Sequence, residues 1–256
     1  MGVRNPSQDI HLVDVLMNTV VIPAVCVWTV VAILFFPFAF FLLKTTTGAS
    51  SDRAMRRLIH TYGKGVLGLM RPFVQFKREG FDQAGVKPPC ILVLNHQSVF
   101  DVYCLALLPF NDVIMAVRAW PFKLVWYAPF MRLSGYLDVE RTEWETVKQA
   151  AKSFLQRGAA LMFFPEGHRS RDGKLQRFRS GPFQLAVETG VPVVPVCLSG
   201  THRILPPDRW WLKPAPVSLK ALEPIDPRGF SGPVAHRELS QFVRSKMEEC
   251  LKDIGR

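Results

Sequence analysis

Between Asp14 and Lys44 the chain runs for 29 residues, Val15 to Leu43, without a charged side chain, and the middle of the run reads TVVIPAVCVWTVVAILFFPFAFFLL. The hydrocarbon core of a bilayer takes roughly 20 apolar residues of helix. A secretory signal offers an apolar run of only about 7–15 residues. The run therefore predicts a retained membrane segment. Pro23 and Pro37 stand inside it. Each lacks a backbone N–H and tends to kink a helix, so the expectation is one kinked span or a helical hairpin that enters and leaves on one face. A buried core helix is the soluble alternative, but few soluble helices are apolar all round. Lys44, Arg53, Arg56, Arg57 and Lys64 follow the run, and only Arg4 precedes it. Basic flanks stay on the cytoplasmic side. The chain thus divides into a hydrophobic segment, 1–50, and a body, 51–256, that faces the cytoplasm.

Charge separates the two parts as well. Residues 1–50 hold two bases and two acids, so the body carries all of the net +11, with 30 Lys and Arg against 19 Asp and Glu. A basic body beside a greasy segment calls for an anionic partner: a membrane surface, a nucleic acid, or a phosphorylated or CoA-type ligand. No nucleic-acid recognition motif is present, which leaves the lipid and phosphate readings. Cys26, Cys90, Cys104, Cys197 and Cys250 show neither CxxC spacing nor a paired framework. They are expected as free, mostly buried thiols of a reducing compartment. His96, His168 and His202 lack metal-ligand spacing, so no metal is expected.

Residues 52–76 place Met55, Leu58, Ile59, Tyr62, Val66, Leu69, Met70 and Phe73 at helical intervals, with arginines and lysines among them. This fits a basic amphipathic helix lying on an anionic bilayer, or a helix packing the same stripe onto the body's core. From Cys90 onward, apolar runs at 91–94, 112–117, 136–139, 160–164, 193–198 and around Leu219 read as strands. Helical patterns cover 144–157, 182–189 and 233–253. The alternation predicts an α/β domain with a mixed or parallel central sheet flanked by helices.

Four polar blocks interrupt this pattern. In the first, a strand ends at Leu94 and Asn95-His96-Gln97-Ser98-Val99-Phe100-Asp101 follows at once. The C-terminal ends of strands are where α/β proteins build sites. A turn between His96 and Asp101 brings a carboxylate to one ring nitrogen, which leaves the other to act as a base. A structural, hydrogen-bonded histidine gives the same pattern. In the second block, Gly135 to Arg141, a short strand ends in an arginine. The third, Phe164-Pro165-Glu166-Gly167-His168-Arg169-Ser170, opens a run of five bases in eleven residues: Arg169, Arg171, Lys174, Arg177 and Arg179. Guanidinium groups at a strand end suit a phosphate, although a solvated basic face reads the same way. The fourth is Val191 to Val196, VPVVPV, whose prolines suggest an edge strand or a shaped wall.

In this order the blocks resemble those of the glycerolipid acyltransferase family, in particular its lysophosphatidic acid acyltransferase (PlsC-type) branch, with NHx4D, GxxxxxR, FPEGTRS and VPVVPV signatures. The resemblance covers roughly residues 50–225. It implies acyl transfer from acyl-CoA or acyl carrier protein to the sn-2 hydroxyl of lysophosphatidic acid, with no bound cofactor. His96 would be the general base and Asp101 its orienting partner. Arg141, Glu166, Gly167 and Arg169 would hold the glycerol phosphate. Asn95 would be a possible oxyanion donor and Arg118, in AVRAWPF (116–122), a further basic candidate. The segment 121–133 is a candidate wall for the acyl chain. The implied membrane is a bacterial inner membrane or an endoplasmic reticulum. His168 stands where the family usually has Thr, which opens the acceptor headgroup to other lysolipids, such as a lyso-ornithine lipid or lysophosphatidylglycerol. A thioester hydrolase and a catalytically silent lipid-binding protein are the remaining alternatives.

Overall fold

A computed structural model of the chain describes residues 11–125, 127–170, 174–207 and 209–254. The uncharged run folds as one helix, α1 (Leu12–Thr47), with Pro23 and Pro37 inside it. At 1.5 Å per residue it is about 54 Å long. The hairpin form expected from the prolines is not adopted. The helix stops at Gly48, whose φ of 63° only glycine takes without strain, and whose N–H reaches the Lys44 carbonyl at 3.0 Å. Most of α1 presents bare apolar side chains such as Leu34, Phe38 and Phe41, and it is long and apolar enough to cross a membrane. Its first turns differ. Met17 and Val21 are buried in the body's core, and the Asn18 carboxamide bonds both the N–H and the carbonyl of Leu212 at 2.8 Å.

Helix α2 (Ser51–Met70) packs along α1. Gly65 permits this approach: a Cβ there would stand 2.4 Å from the Trp28 ring. Trp28 in turn donates its Nε1–H to the Tyr62 carbonyl at 3.1 Å. The apolar stripe of Met55, Val66, Leu67 and Met70 faces the core, which is the second of the two sequence readings. Arg56 is buried too. It meets Asp112 at 2.7 Å, Asp52 at 3.1 Å and the Ser134 carbonyl at 2.7 Å. A buried guanidinium is tolerated only with such partners. Arg4 and Arg171, counted above among the bases, lie outside the described residues.

Seven strands form one sheet: β1 (Phe76–Glu79), β2 (Cys90–Leu94), β3 (Val113–Val117), β4 (Leu137–Asp138), β5 (Ala160–Phe163), β6 (Val193–Ser199) and β7 (Val217–Ala221). Their order is β1-β7-β6-β2-β5-β3-β4, and only the β6–β7 pair is antiparallel. Two strands depart from expectation. β1 reads FKRE, starts on the last residue of the helical stretch 52–76 and is missing from the strands expected above, because charge on a short edge strand hides the alternation. β6 is interior rather than an edge, despite Pro195. The proline offers its carbonyl to the Leu222 N–H at 2.9 Å, and the antiparallel ladder begins one residue later, at Val196. Helices α5 (Trp144–Gln156), α6 (Gly181–Thr189) and α8 (Ala235–Ile254) pack on the sheet; three short helices, α3 (Asp101–Cys104), α4 (Ala128–Leu133) and α7 (Thr201–Ile204), belong to the connections.

Register positions the site. Val93, Phe163, Ala116 and Leu137 lie in one row across β2, β5, β3 and β4, all parallel. Three residues further, at the C-terminal edge of the sheet, stand His96, Glu166, Ala119 and Glu140.

Candidate active site

The loop after β2 is tied down before it reaches its histidine. The Asn95 carboxamide donates to the Leu198 carbonyl and accepts from the Leu198 N–H, both at 2.8 Å. It is 1% exposed, so its polar atoms bridge β2 to β6 and do not face an oxyanion. Asp101 opens α3 and is fully buried. Its Oδ2 accepts from His96 Nδ1 at 2.7 Å, Gln97 N at 2.6 Å and Ser98 N at 2.9 Å. Facing a carboxylate, Nδ1 carries the proton. Nε2 is then the ring nitrogen with no protein partner among the described residues. Phe164 stacks on the imidazole with centroids 4.1 Å apart. The side chain of His96 keeps 19% of its surface open.

The block after β5 closes around the same loop. Glu166 accepts from the His96 N–H through Oε1 and from the Gln176 N–H through Oε2, both at 2.8 Å. It is 2% exposed. Burial raises its carboxyl above the usual range, and the two backbone N–H groups oppose that rise. Both oxygens accept backbone N–H groups, so Glu166 braces the two loops against each other. The Ser170 N–H reaches the His96 carbonyl at 2.8 Å, which clamps His96 at its N–H and at its carbonyl. Gly167 has φ 75°, and a Cβ there would stand 2.6 Å from Arg179 Nε; the absent side chain makes room for this guanidinium. His168 is exposed and Arg169 half-buried. Among the described residues Arg169 has no ion pair.

Arg118 and Arg141 lie further along the edge. Arg118 pairs with Glu140 at 2.5 Å. That contact and the Ala119 N–H hold the Glu140 carboxyl low. The Arg141 guanidinium has no ion pair among the described residues. With Arg132 it lines a pocket of about 350 Å³. His96, Asp101, Glu166, Gly167 and Arg169 are thus gathered at adjacent strand ends, whereas Arg141 follows a strand three places away. Of the segment 121–133, Met131 enters the core, Phe130 meets Phe36 of α1 edge-on at 5.2 Å, and Trp126 lies outside the described residues. Sequence reasoning missed Phe164 as a stacking partner and Ser170 and Gln176 as clamps. The latter two act through backbone N–H groups, which leave no side-chain signature. Cys104, behind Asp101, is fully buried, and burial pushes its thiol well up.

The sequence model of the Acyltransferase family matches residues 75–199, which include all four blocks. The chain is 32% identical over 165 residues to a chloroplastic 1-acyl-sn-glycerol-3-phosphate acyltransferase of Brassica napus, covering 60% of this chain and 46% of the relative. It is 30% identical to the 1-acyl-sn-glycerol-3-phosphate acyltransferase of Saccharomyces cerevisiae, covering 66% and 57%. The chain therefore spans about half the length of these curated relatives. The crystal structure of the 1-acyl-sn-glycerophosphate (LPA) acyltransferase PlsC from Thermotoga maritima superposes with a TM-score of 0.70 at 26% identity, over 92% of this chain and 97% of that one. With the match running through every block and the fold shared along nearly its whole length, the chain is similar in sequence and in fold to the PlsC-type branch of the glycerolipid acyltransferase family.

Proposed function

We propose that the protein transfers a fatty acyl group from a thioester, acyl-CoA or acyl carrier protein, to the sn-2 hydroxyl of lysophosphatidic acid, giving phosphatidic acid. The observation that carries this reading is the His96–Asp101 pair at 2.7 Å, one strand away from Arg169; among the described residues Nε2 has no protein partner and Arg169 no ion pair. Nε2 takes the hydroxyl proton as the oxygen attacks the thioester carbonyl. The tetrahedral intermediate then collapses, the C–S bond breaks, and the departing thiolate takes the proton back from the imidazolium. A positioned base of this kind contributes about 10²–10⁴-fold. Asp101 stabilises the imidazolium and fixes the tautomer. Glu166 and Ser170 hold the loop, and Arg169 draws in the acceptor phosphate, with Gly167 leaving room for Arg179 beside it. In this reading 51–256 is the acyltransferase domain, 1–50 is its membrane segment, and the site faces the cytoplasm.

The test is transfer by the detergent-solubilised full chain to a panel of lysolipids. Phosphatidic acid as the main product supports the proposal. Product only from lysophosphatidylglycerol or a lyso-ornithine lipid moves the acceptor, and no transfer to any acceptor overturns it.

A further inference from the structure

We infer that Asn18, in the first turns of the apolar helix α1, is a positioning residue for His96 and acts through the segment 201–213. The inference rests on the acyltransferase reading above and names a residue which that reading does not use. Asp14 and Asn18 stand one turn apart on one face of α1. Both turn to the body. Asp14 is 4% exposed and lies 3.7 Å from Lys213 Nζ, and the Asn18 carboxamide takes the N–H and the carbonyl of Leu212, at 2.8 Å each. Met17 and Val21 beside them already fasten the helix to the core by apolar contact. The amide adds direction, because two bonds to one residue fix where Leu212 lies.

From Leu212 the path to the base is short. The next N–H along the chain, that of Lys213, reaches the Ile204 carbonyl at 3.1 Å, and the Arg209 guanidinium donates to the same carbonyl at 2.7 Å. These bonds fold 209–213 back onto the end of α7. The Leu205 carbonyl, next in line, accepts from Ser98 Oγ at 2.6 Å, and His202 Nδ1 donates to Gln97 Oε1 at 3.1 Å. Gln97 and Ser98 are the residues whose backbone N–H groups fix Asp101 Oδ2, the oxygen that faces His96. A single turn of helix has little stability of its own, so α7 lies where its ties hold it. Its start is set at Gly200, where a Cβ would stand 1.9 Å from the Pro216 carbonyl oxygen. Its end, which carries the Ser98 contact, depends on 209–213 and hence on Asn18. A displacement of α7 moves both donors of Asp101, and a misplacement of about 1 Å costs a reaction about 10²-fold.

The experiment compares the full chain with Asn18→Leu, which is close in volume and forms neither bond to Leu212. The control is Thr19→Val, on the exposed side of the same turn, whose hydroxyl bonds the Val15 and Leu16 carbonyls within α1. Acyl transfer to lysophosphatidic acid, from acyl-CoA or acyl carrier protein thioester, is measured in mixed micelles below the melting transition. Asn18→Leu is expected to lower kcat about tenfold, as for a buried polar group left unpaired. Both KM values should stay within about twofold, the split that marks a positioning role, and Thr19→Val should match wild type. His202→Leu should lose kcat likewise, and His202→Asn, whose amide replaces Nδ1 as donor, should recover most of it. Combined with Asn18→Leu, His202→Leu should cost less than the product of the two single losses, because both act on α7. Hydrogen exchange at the amides of 97 and 98 reads the same loop without turnover. Asn18→Leu should speed it at least about fivefold, as a local opening, and leave 160–163 in β5 unchanged. Asn18→Ala replaces Asn18→Leu if the latter does not fold. A folded variant at position 18 with wild-type kcat, one that fails through KM alone, or one whose exchange at 97 and 98 is unchanged overturns the inference. A wild type inactive toward every acceptor refutes the acyltransferase reading, and the exchange at 97 and 98 then decides this one alone.

Discussion

Replacing Asp101 by Asn removes one charge and little else. The carboxylate oxygen that faces His96 Nδ1 at 2.7 Å also accepts the N–H groups of Gln97 and Ser98. Two fixed backbone donors will hold the amide oxygen of the replacement side chain in the same place, so its NH2 group cannot turn toward the imidazole and the tautomer survives. What disappears is the attraction between the carboxylate and the imidazolium formed during proton transfer. At 2.7 Å and an effective dielectric of about 20, that attraction is roughly 6 kcal/mol for a full charge, and about 3 for a half-transferred proton. Those figures correspond to a fall in kcat of about 10²–10⁴-fold. Three charge-assisted bonds become neutral ones, which costs about 1–3 kcal/mol of stability. The KM values for donor and acceptor should stay within about threefold, since Asp101 is fully buried. The assay is steady-state acyl transfer with both substrates varied, run beside thermal melts. A folded variant that keeps more than a third of wild-type kcat, or that fails through KM alone, would refute the reasoning.

Glu166→Gln separates a brace from a substrate ligand: kcat should fall at least tenfold with the lysolipid KM nearly unchanged, whereas a ligand role predicts a raised KM. Burial raises the Glu166 carboxyl, so its contribution to stability is full below the usual carboxylate pKa and is lost as pH rises through the folded value. Melts between about pH 4 and pH 7 should therefore show the wild-type advantage over Glu166→Gln shrinking as pH rises. Gly65→Ala forces a Cβ to within 2.4 Å of Trp28; a loss of about 1–3 kcal/mol and a shifted Trp28 emission are expected, and a neutral result would contradict the packing of α1 on α2. Cys90 is pushed up to about 12 by burial, and Cys104, Cys197 and Cys250 are buried as well. Alkylation at about pH 8, below the ordinary thiol pKa, should therefore modify at most Cys26 and spare activity. Inactivation through a buried thiol would point to an acyl-enzyme.

Much of this arrangement was legible because it is local. A charge-free run longer than a bilayer can only be satisfied by helix, and α1 follows from it. A carboxylate five residues after a strand-end histidine returns to it through one turn, and the pair forms. Pairing between distant strands was less legible. Pro195 argued for an edge, yet β6 is interior: the proline needs to offer only its carbonyl, to the Leu222 N–H, while Val193 and Val196 on either side make the antiparallel pairings with Ile225 and Ala221. β1 was hidden by its own charges. The role of Glu166 depended on two backbone N–H groups, at positions 96 and 176, that only the folded chain brings together. The separation of Arg141 from Arg169 depended on strand order, which a linear reading of the blocks does not contain.

The most direct test of the central claim is product analysis with a labelled acyl donor, lysophosphatidic acid, and either wild type or His96→Ala. The account predicts sn-2-acylated phosphatidic acid and free carrier thiol in equal amounts from wild type, and loss of both from a folded His96→Ala. Free fatty acid in place of phosphatidic acid, or a His96→Ala protein that still transfers at the wild-type rate, would contradict it.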